Sequence, residues 1–193
     1  MILPIVAYGS SILRQVCKPI DANYEGLQEL IADMWQTMYN SNGVGLAAPQ
    51  INRGIRVFMI DTIQIVEGAE DDDEKEELKN EKPRKQLFIN AQIVAEAGEP
   101  WAYNEGCLSI PKLRADVMRS ESVTLQYQDE NFVEHTDTFD GITARVILHE
   151  YDHIEGKLFI DRLKPLKRKM IGGKLDAIAK GNVKMGYRMI YPK

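Results

Sequence analysis

The sequence predicts an α+β fold, with mixed or antiparallel strands around a central helix over "ITARVILHEYDHIEG" (142–156) and a further helix near the C-terminus. Three observations predict it. Apolar residues recur at three- and four-residue intervals through 24–40 and again through 142–154, the period of a helix with one buried face. Residues 114–141 alternate apolar and polar at period two, the pattern of half-buried strands. Short apolar runs of strand length, "GIRVFMID" (54–61) and "QLFINAQIVAEAG" (86–98), precede the central helix.

In chain order, "MILPIVAYGSS" reads as a strand or extended arm, because it has neither a basic leading segment nor a small-residue cleavage site. The helix at 24–40 places Leu27, Leu30, Ile31, Met34 and Met38 on one side, with Asp21 or Asn23 as its N-cap. "SNGVGLAAPQ" (41–50) is a glycine-punctuated loop, and "GIRVFMID" a buried strand. Residues 67–77 hold eight acids and one lysine, a local −7 in a chain of net charge −5, so the rest sums to +2. With "LKNEKPRK" after it, this stretch (67–85) reads as a mobile acidic insertion too polar to bury anything.

"QLFINAQIVAEAG" resumes as a strand, and "WAYNEGCLSIP" (101–111) turns through Gly106 and Pro111. Residues 114–141 supply two strands of a hairpin with "DEN" (129–131) as the turn. The central helix carries Ile142, Val146, Ile147 and Ile154 on one side and stops at Gly156. A short strand "KLFID" (157–161) and the helix "PLKRKMIGGKLDAIAK" (165–180) follow. The length fits one catalytic domain spanning 1–193.

Composition narrows the function. No apolar run approaches the roughly 20 residues that span a bilayer, so no membrane partner is expected. The acidity belongs to one segment, and the basic "KRK" at 167–169 reads as a solvated helix face, so no specific nucleic-acid reading is expected. Two cysteines in a chain this long suit a reducing, cytoplasmic setting better than a disulfide scaffold.

"HEYDH" (149–153) puts two histidines four apart, one helical turn, on the same face. His149 and His153 can therefore offer two imidazoles to one ion, and Glu150, about 100° around the axis, can reach a water beside that ion. A lone helical histidine is usually packed core; this spacing with the intervening glutamate points to a metal. The third ligand is open to several residues. His135, the only other histidine, lies in the hairpin; Phe159 stands where one protease group has its third histidine; no glutamate follows Glu155. Asp161 and Asp176 remain formally possible. Cysteine is the stronger candidate, since thiolate binds zinc or ferrous iron well. Cys107, in a glycine-bearing turn, is favoured over Cys17, which reads as a small buried hydrophobe.

Three segments in order, "GVGLAAPQ" (43–50), "EGCLS" (105–109) and "HEYDH", resemble the G-x-G-x-A-A-x-Q, E-G-C-x-S and H-E-x-D-H motifs of the peptide deformylases. The similarity runs from about residue 3 to 180. It implies a metal-dependent hydrolase that removes the N-formyl group from N-formylmethionine on nascent peptides, in the cytoplasm and in transient association with the ribosome. It implies Cys107, His149 and His153 as metal ligands and Glu150 as general base and acid. It also implies Gln50 and the Leu108 N–H as oxyanion donors. The ion it implies is Fe2+, with Zn2+, Ni2+ or Co2+ able to take the same ligands. Gly43 and Gly45 would let the loop pass close to the substrate or adopt positive φ. Val44, Ile142, Val146 and the stem of Arg145 are candidate walls for the methionine side chain. An extended substrate could add along the "GVG" edge or the segment near Cys107, and Arg114 and Glu105 could pair to brace the Cys107 turn.

Overall fold

A computed structural model describes residues 1–192. The fold is α+β. Five antiparallel strands form the main sheet: β2 (Gly45–Ala47), β3 (Val57–Asp61), β4 (Lys85–Ala97), β7 (Ser122–Gln128) and β8 (Glu134–Asp140), adjacent in that order. Strands β5 (Trp101–Cys107) and β6 (Ile110–Arg119) make a separate antiparallel hairpin, and β1 (Ile5–Val6) pairs in parallel with β9 (Met189–Ile190).

The main sheet is covered on both faces, and β3 shows how. All five of its residues are buried. Phe58 and Ile60 join Phe88, Val123, Leu125 and Phe139 in a cluster with Ala144, Ile147 and Leu148 of helix α4 (Gly141–Ile154). Val57 and Met59 point the other way, against Leu27, Ile31, Met34 and Met38 of α1 (Leu27–Asn40). Strand residues alternate faces, so a short run apolar at every position signals a strand sandwiched between two helices. Each such buried aliphatic side chain stabilises the fold by about 1.5–3 kcal/mol relative to exposure. A third cluster joins β6, the 3-10 turn Phe159–Arg162 and helix α5 (Pro165–Ala179).

Several sequence expectations change here. Helix α1 begins at Leu27 with Gly26 as its N-cap and no side-chain cap; the Asp21 carboxylate is engaged locally by the Asn23 N–H, 2.8 Å away. Residues 114–141 are not one two-stranded hairpin. Their first part completes β6, which pairs with β5, and only β7 and β8 form the hairpin around 129–133. "KLFID" is not a strand: Phe159–Arg162 is a 3-10 turn, with the Leu158 N–H donating to Asp161 at 2.9 Å. The short polar side chain of Asp161 competes with the extended ladder, as such residues do.

Helix α2 (Ile63–Glu67) leads into the acidic segment, which itself contains helix α3 (Asp72–Leu78). Asp71 caps α3 by accepting from the Glu74 N–H at 2.8 Å, and acids fill its first turn, where the helix dipole favours them. The segment's end reaches the central helix, since the Ile142 N–H donates to Glu81 at 2.9 Å. At the far end of α4, Gly156 takes φ +68°, and a Cβ there would come within 2.7 Å of the Arg14 carbonyl. Glycine thus stops the helix and lets residues 14–17 cross beneath it, where Cys17 N–H donates to Ile154 O at 2.8 Å.

Candidate active site

Helix α4 is buried along almost its whole length, which fixes the histidine pair from below. The rings of His149 and His153 are 5.2 Å apart at their centroids. Opposite them stands the turn between β5 and β6. A register shift between Gly106 and Cys107 in that hairpin turns the thiol toward the helix. Cys107 Sγ lies 3.3 Å from His153 Nε2. One donor atom each from Cys107, His149 and His153 falls within a 4.8 Å span, so this group could hold a metal ion. Asp161 and Asp176 are not in it: Asp161 pairs with Arg14 and Arg168, and Asp176 lies on α5.

The donor set fits a tetrahedral site with one position open, two nitrogens and one sulfur. The atoms behind the ligands fit too. His149 Nδ1 is 2.9 Å from Glu105 Oε2, which leaves the other ring nitrogen for the ion. Glu105 also accepts from Arg119 at 2.7 and 3.0 Å and from Arg145 at 3.0 Å. Arg119 in turn donates to Asp152 at 2.7 Å, and Asp152 accepts from Arg162 twice at 2.7 Å. The expected Arg114–Glu105 pair is therefore not made. Arg114 lies on an exposed strand face and bonds Asn104, leaving Glu105 to the two buried arginines.

These neighbours set the charges. Burial alone would raise the Glu105 carboxyl, but hydrogen bonds from His149 and Arg119 outweigh it and hold it well below the usual carboxylate range. Burial would likewise raise the Cys107 thiol, yet the His153 charge and hydrogen bonds from both histidines lower it to about 5. For His149 burial pulls down, while bonds to Cys107 and Glu105 lift it to about 10. The centre is therefore a thiolate beside an imidazolium, and a cation binding there displaces the imidazolium proton. Glu150 goes up, to about 7, because burial outweighs the attraction of the two histidines. Its Oε2 is buried without a hydrogen-bond partner among the described residues, as is His153 Nδ1.

Gln50 closes the third side. Its Oε1 accepts from the Ala47 N–H at 2.8 Å, which orients the amide so that Nε2 faces Cys107 Sγ at 3.5 Å and Ser109 Oγ at 3.4 Å. Gly45 is needed for space, not for an unusual φ: a Cβ on it would collide with the Glu150 carboxylate. Gly43 faces Leu108, whose methyl would lie 2.8 Å from such a Cβ. Neither glycine has a positive φ.

These residues line a cleft of about 420 Å3. Gly43, Val44, Gly45, Gln50, Cys107, Leu108, Arg145, Val146, His149 and Glu150 all border it. Ile142 does not; it is buried in the first turn of α4. Walls that the sequence did not point to include Ile65 from α2, Tyr103 from β5, Ile110 and Leu113 from β6, and Met185 and Tyr187 from the C-terminal segment. Ile65 and the C-terminal pair arrive from polar or irregular stretches whose local pattern carries no signal for the cleft. Cys17 lies elsewhere, buried beside Arg56 and Glu155, and burial first of all pushes its thiol up to about 11.

The chain matches the family model described as polypeptide deformylase over residues 2–169. It is 51% identical over its full length to a peptide deformylase of Christiangramia forsetii, covering 97% of that protein. It is 52% identical over 98% of its length to one of Flavobacterium johnsoniae, 95% of which is covered. Among solved structures, the crystal structure of a peptide deformylase from Legionella pneumophila superposes with a TM-score of 0.77 at 36% identity, covering 94% of this chain and 98% of that one. The peptide deformylase of Thermus thermophilus gives 0.78 at 33% identity, with 94% and 99% covered.

Proposed function

The chain belongs to the peptide deformylase family, and we propose that Cys107, His149 and His153 hold its divalent metal ion. We assign Glu150 as general base and acid, with Gln50 and the Leu108 N–H as the oxyanion donors. As a member of the family it is a metal-dependent hydrolase that removes the N-formyl group from newly made polypeptides. One observation carries the assignment of residues: a cysteine sulfur and two imidazoles converge within 4.8 Å beside Glu150, whose buried Oε2 has no hydrogen-bond partner among the described residues.

The reaction adds water across the formyl C–N bond, giving formate and a free amino terminus. A divalent ion supplies a water made acidic near neutral pH. Glu150 takes the proton from the attacking water and delivers it to the leaving nitrogen, and a carboxyl raised to about 7 suits both roles. Negative charge grows on the formyl oxygen, which in this reading the Gln50 amide and the Leu108 N–H meet; one such donor is worth about 3 kcal/mol of transition-state stabilisation. Glu105 keeps the His149 ring oriented, and Arg119 and Arg145 keep Glu105 ionised.

The methionine side chain enters the cleft between Val44, Val146, Ile65 and Leu108, whose apolar surfaces support that choice. The peptide runs along the Gly43–Val44–Gly45 edge. We read 1–193 as one catalytic domain, since the main sheet, the β5–β6 hairpin and the C-terminal segment all border the cleft. The ion is Fe2+ in our reading; the Cys–His–His set suits iron and zinc alike, and Zn2+, Ni2+ or Co2+ can take its place. We place the enzyme in the cytoplasm, meeting N-formyl-Met chains in transient association with the ribosome. Among the described residues no helix is long and apolar enough to cross a membrane.

The test is formate release from a formyl-Met peptide by anaerobically purified protein, with metal content measured alongside. Turnover by wild type and its loss in Glu150→Gln at full metal occupancy is the expected outcome. Wild-type turnover in that variant would remove Glu150 from the role.

A further inference from the structure

The residues after α5 lie beyond the matched span 2–169, yet they reach back to the reacting centre. From Val183 to Met189 the odd-numbered residues are half-buried and the even-numbered ones exposed, the period of an extended strand with one face turned inward. Val183 packs on the α5 cluster, Met185 and Tyr187 border the cleft, and Met189 pairs with Ile5. This strap is anchored to the N-terminal strand: Ile5 N–H donates to Arg188 O at 2.9 Å and Ala7 N–H to Ile190 O at 2.8 Å.

Both anchored strands then grip the same turn. The Tyr187 hydroxyl donates to the Leu108 carbonyl at 2.8 Å. The Tyr8 N–H, two residues past the end of β1, donates to the Ser109 carbonyl at 2.8 Å. The two peptide carbonyls that follow Cys107 are therefore both fixed from outside the hairpin, while Gln50 reaches the Ser109 hydroxyl from inside. Leu108 is the residue whose N–H is assigned to the formyl oxygen. The two held carbonyls lie in the 108–109 and 109–110 peptide planes. The Leu108 N–H lies in the preceding plane, joined to the first of these through the Leu108 Cα, so holding the Leu108 carbonyl fixes the turn on one side of that N–H.

We propose that Tyr187 is a positioning residue for deformylation: its hydroxyl, bonded to the Leu108 carbonyl, holds the turn in the orientation that aims the Leu108 N–H at the oxyanion. This rests on the reading of Leu108 above and adds to it a residue from outside the three motifs. The donor is used in the transition state, so loosening it costs kcat and leaves substrate affinity alone.

The experiment compares Tyr187→Phe with wild type on a formyl-Met-Ala-Ser peptide, using metal-replete enzyme. The ring and its packing stay; only the hydroxyl goes. We expect kcat to fall about tenfold, a fraction of the loss from deleting an oxyanion donor outright. KM should stay within about twofold, with melting temperature and metal content unchanged. Amide hydrogen exchange across 107–110 should quicken. Tyr191→Phe removes a hydroxyl from the same segment, one that donates to Val183 O at 3.4 Å, and should leave kcat at the wild-type value. Equal losses in the two variants would mean general loosening of the strap and would overturn the proposal. Gln50→Ala in the same assay tests the oxyanion assignment separately. Wild-type kcat for Tyr187→Phe where Gln50→Ala is slow overturns the role of the hydroxyl alone.

Discussion

Cys17 is buried and Cys107 half-buried at the cleft, and burial pushes both thiols upward, yet one ends at about 11 and the other at about 5. At Cys17 the nearest charges are Arg56 and Glu155, which are themselves paired at 2.7 Å and largely cancel. At Cys107 two imidazoles face the sulfur; Glu105 stands behind His149, and Asp152 is joined to Glu105 through Arg119. The difference is that burial alone raises a thiol, while ring nitrogens aimed at the sulfur lower it, and here those rings are the other two members of the donor set.

Four changes would break or sharpen that contrast. The largest effect is expected from Cys107→Ser, which should bring formate release below detection, while Cys17→Ser leaves it at the wild-type rate. Next, Glu150→Gln should lower kcat by about a thousandfold, within the range for losing a general acid–base, with metal retained. Glu105→Gln comes third. It removes the charge that orients His149 and leaves Arg119 and Arg145 buried without it, so metal affinity should drop about 10–100-fold in a competition titration.

The same carboxylate carries a pH dependence. Its folded pKa is lowered, so the stability it contributes is present above the ordinary value of 4.5 and drains away as pH falls toward the folded value. Wild type should therefore lose stability below pH 4.5 more steeply than Glu105→Gln, as read by chemical denaturation at several pH values. The smallest effect is expected from Cys17→Ala, about 1 kcal/mol of stability with no change in turnover. A large loss of activity there would erase the distinction between the two cysteines.

What could be read in the sequence was local. His149, Glu150 and His153 are set by one helical turn, and the apolar face of α4 is written in the same residues. Choosing Cys107 over Cys17 from the residues alone rested on a glycine-bearing turn, and the motif resemblance is what turned that preference into a ligand. The brace behind the site was not legible: Glu105 meets Arg119, Arg145 and His149 across 14, 40 and 44 residues, and nothing near Glu105 distinguishes those partners from the exposed Arg114. Nor did the tail "GNVKMGYRMIYPK" announce a wall of the cleft, because β9 exists only through its pairing with β1. Asp71 and Glu74, three residues apart, carry a capping signal for α3 that the charge of the run masks.

The central claim is that one sulfur and two imidazoles, from two separate elements of the fold, hold the ion that the reaction uses. It is tested most directly by the metal content of Cys107→Ser and Cys17→Ser, each purified anaerobically beside wild type and analysed by mass spectrometry. The account predicts about one ion per chain in wild type and Cys17→Ser, and little or none in Cys107→Ser. Unchanged metal in Cys107→Ser, with the protein folded, would contradict it.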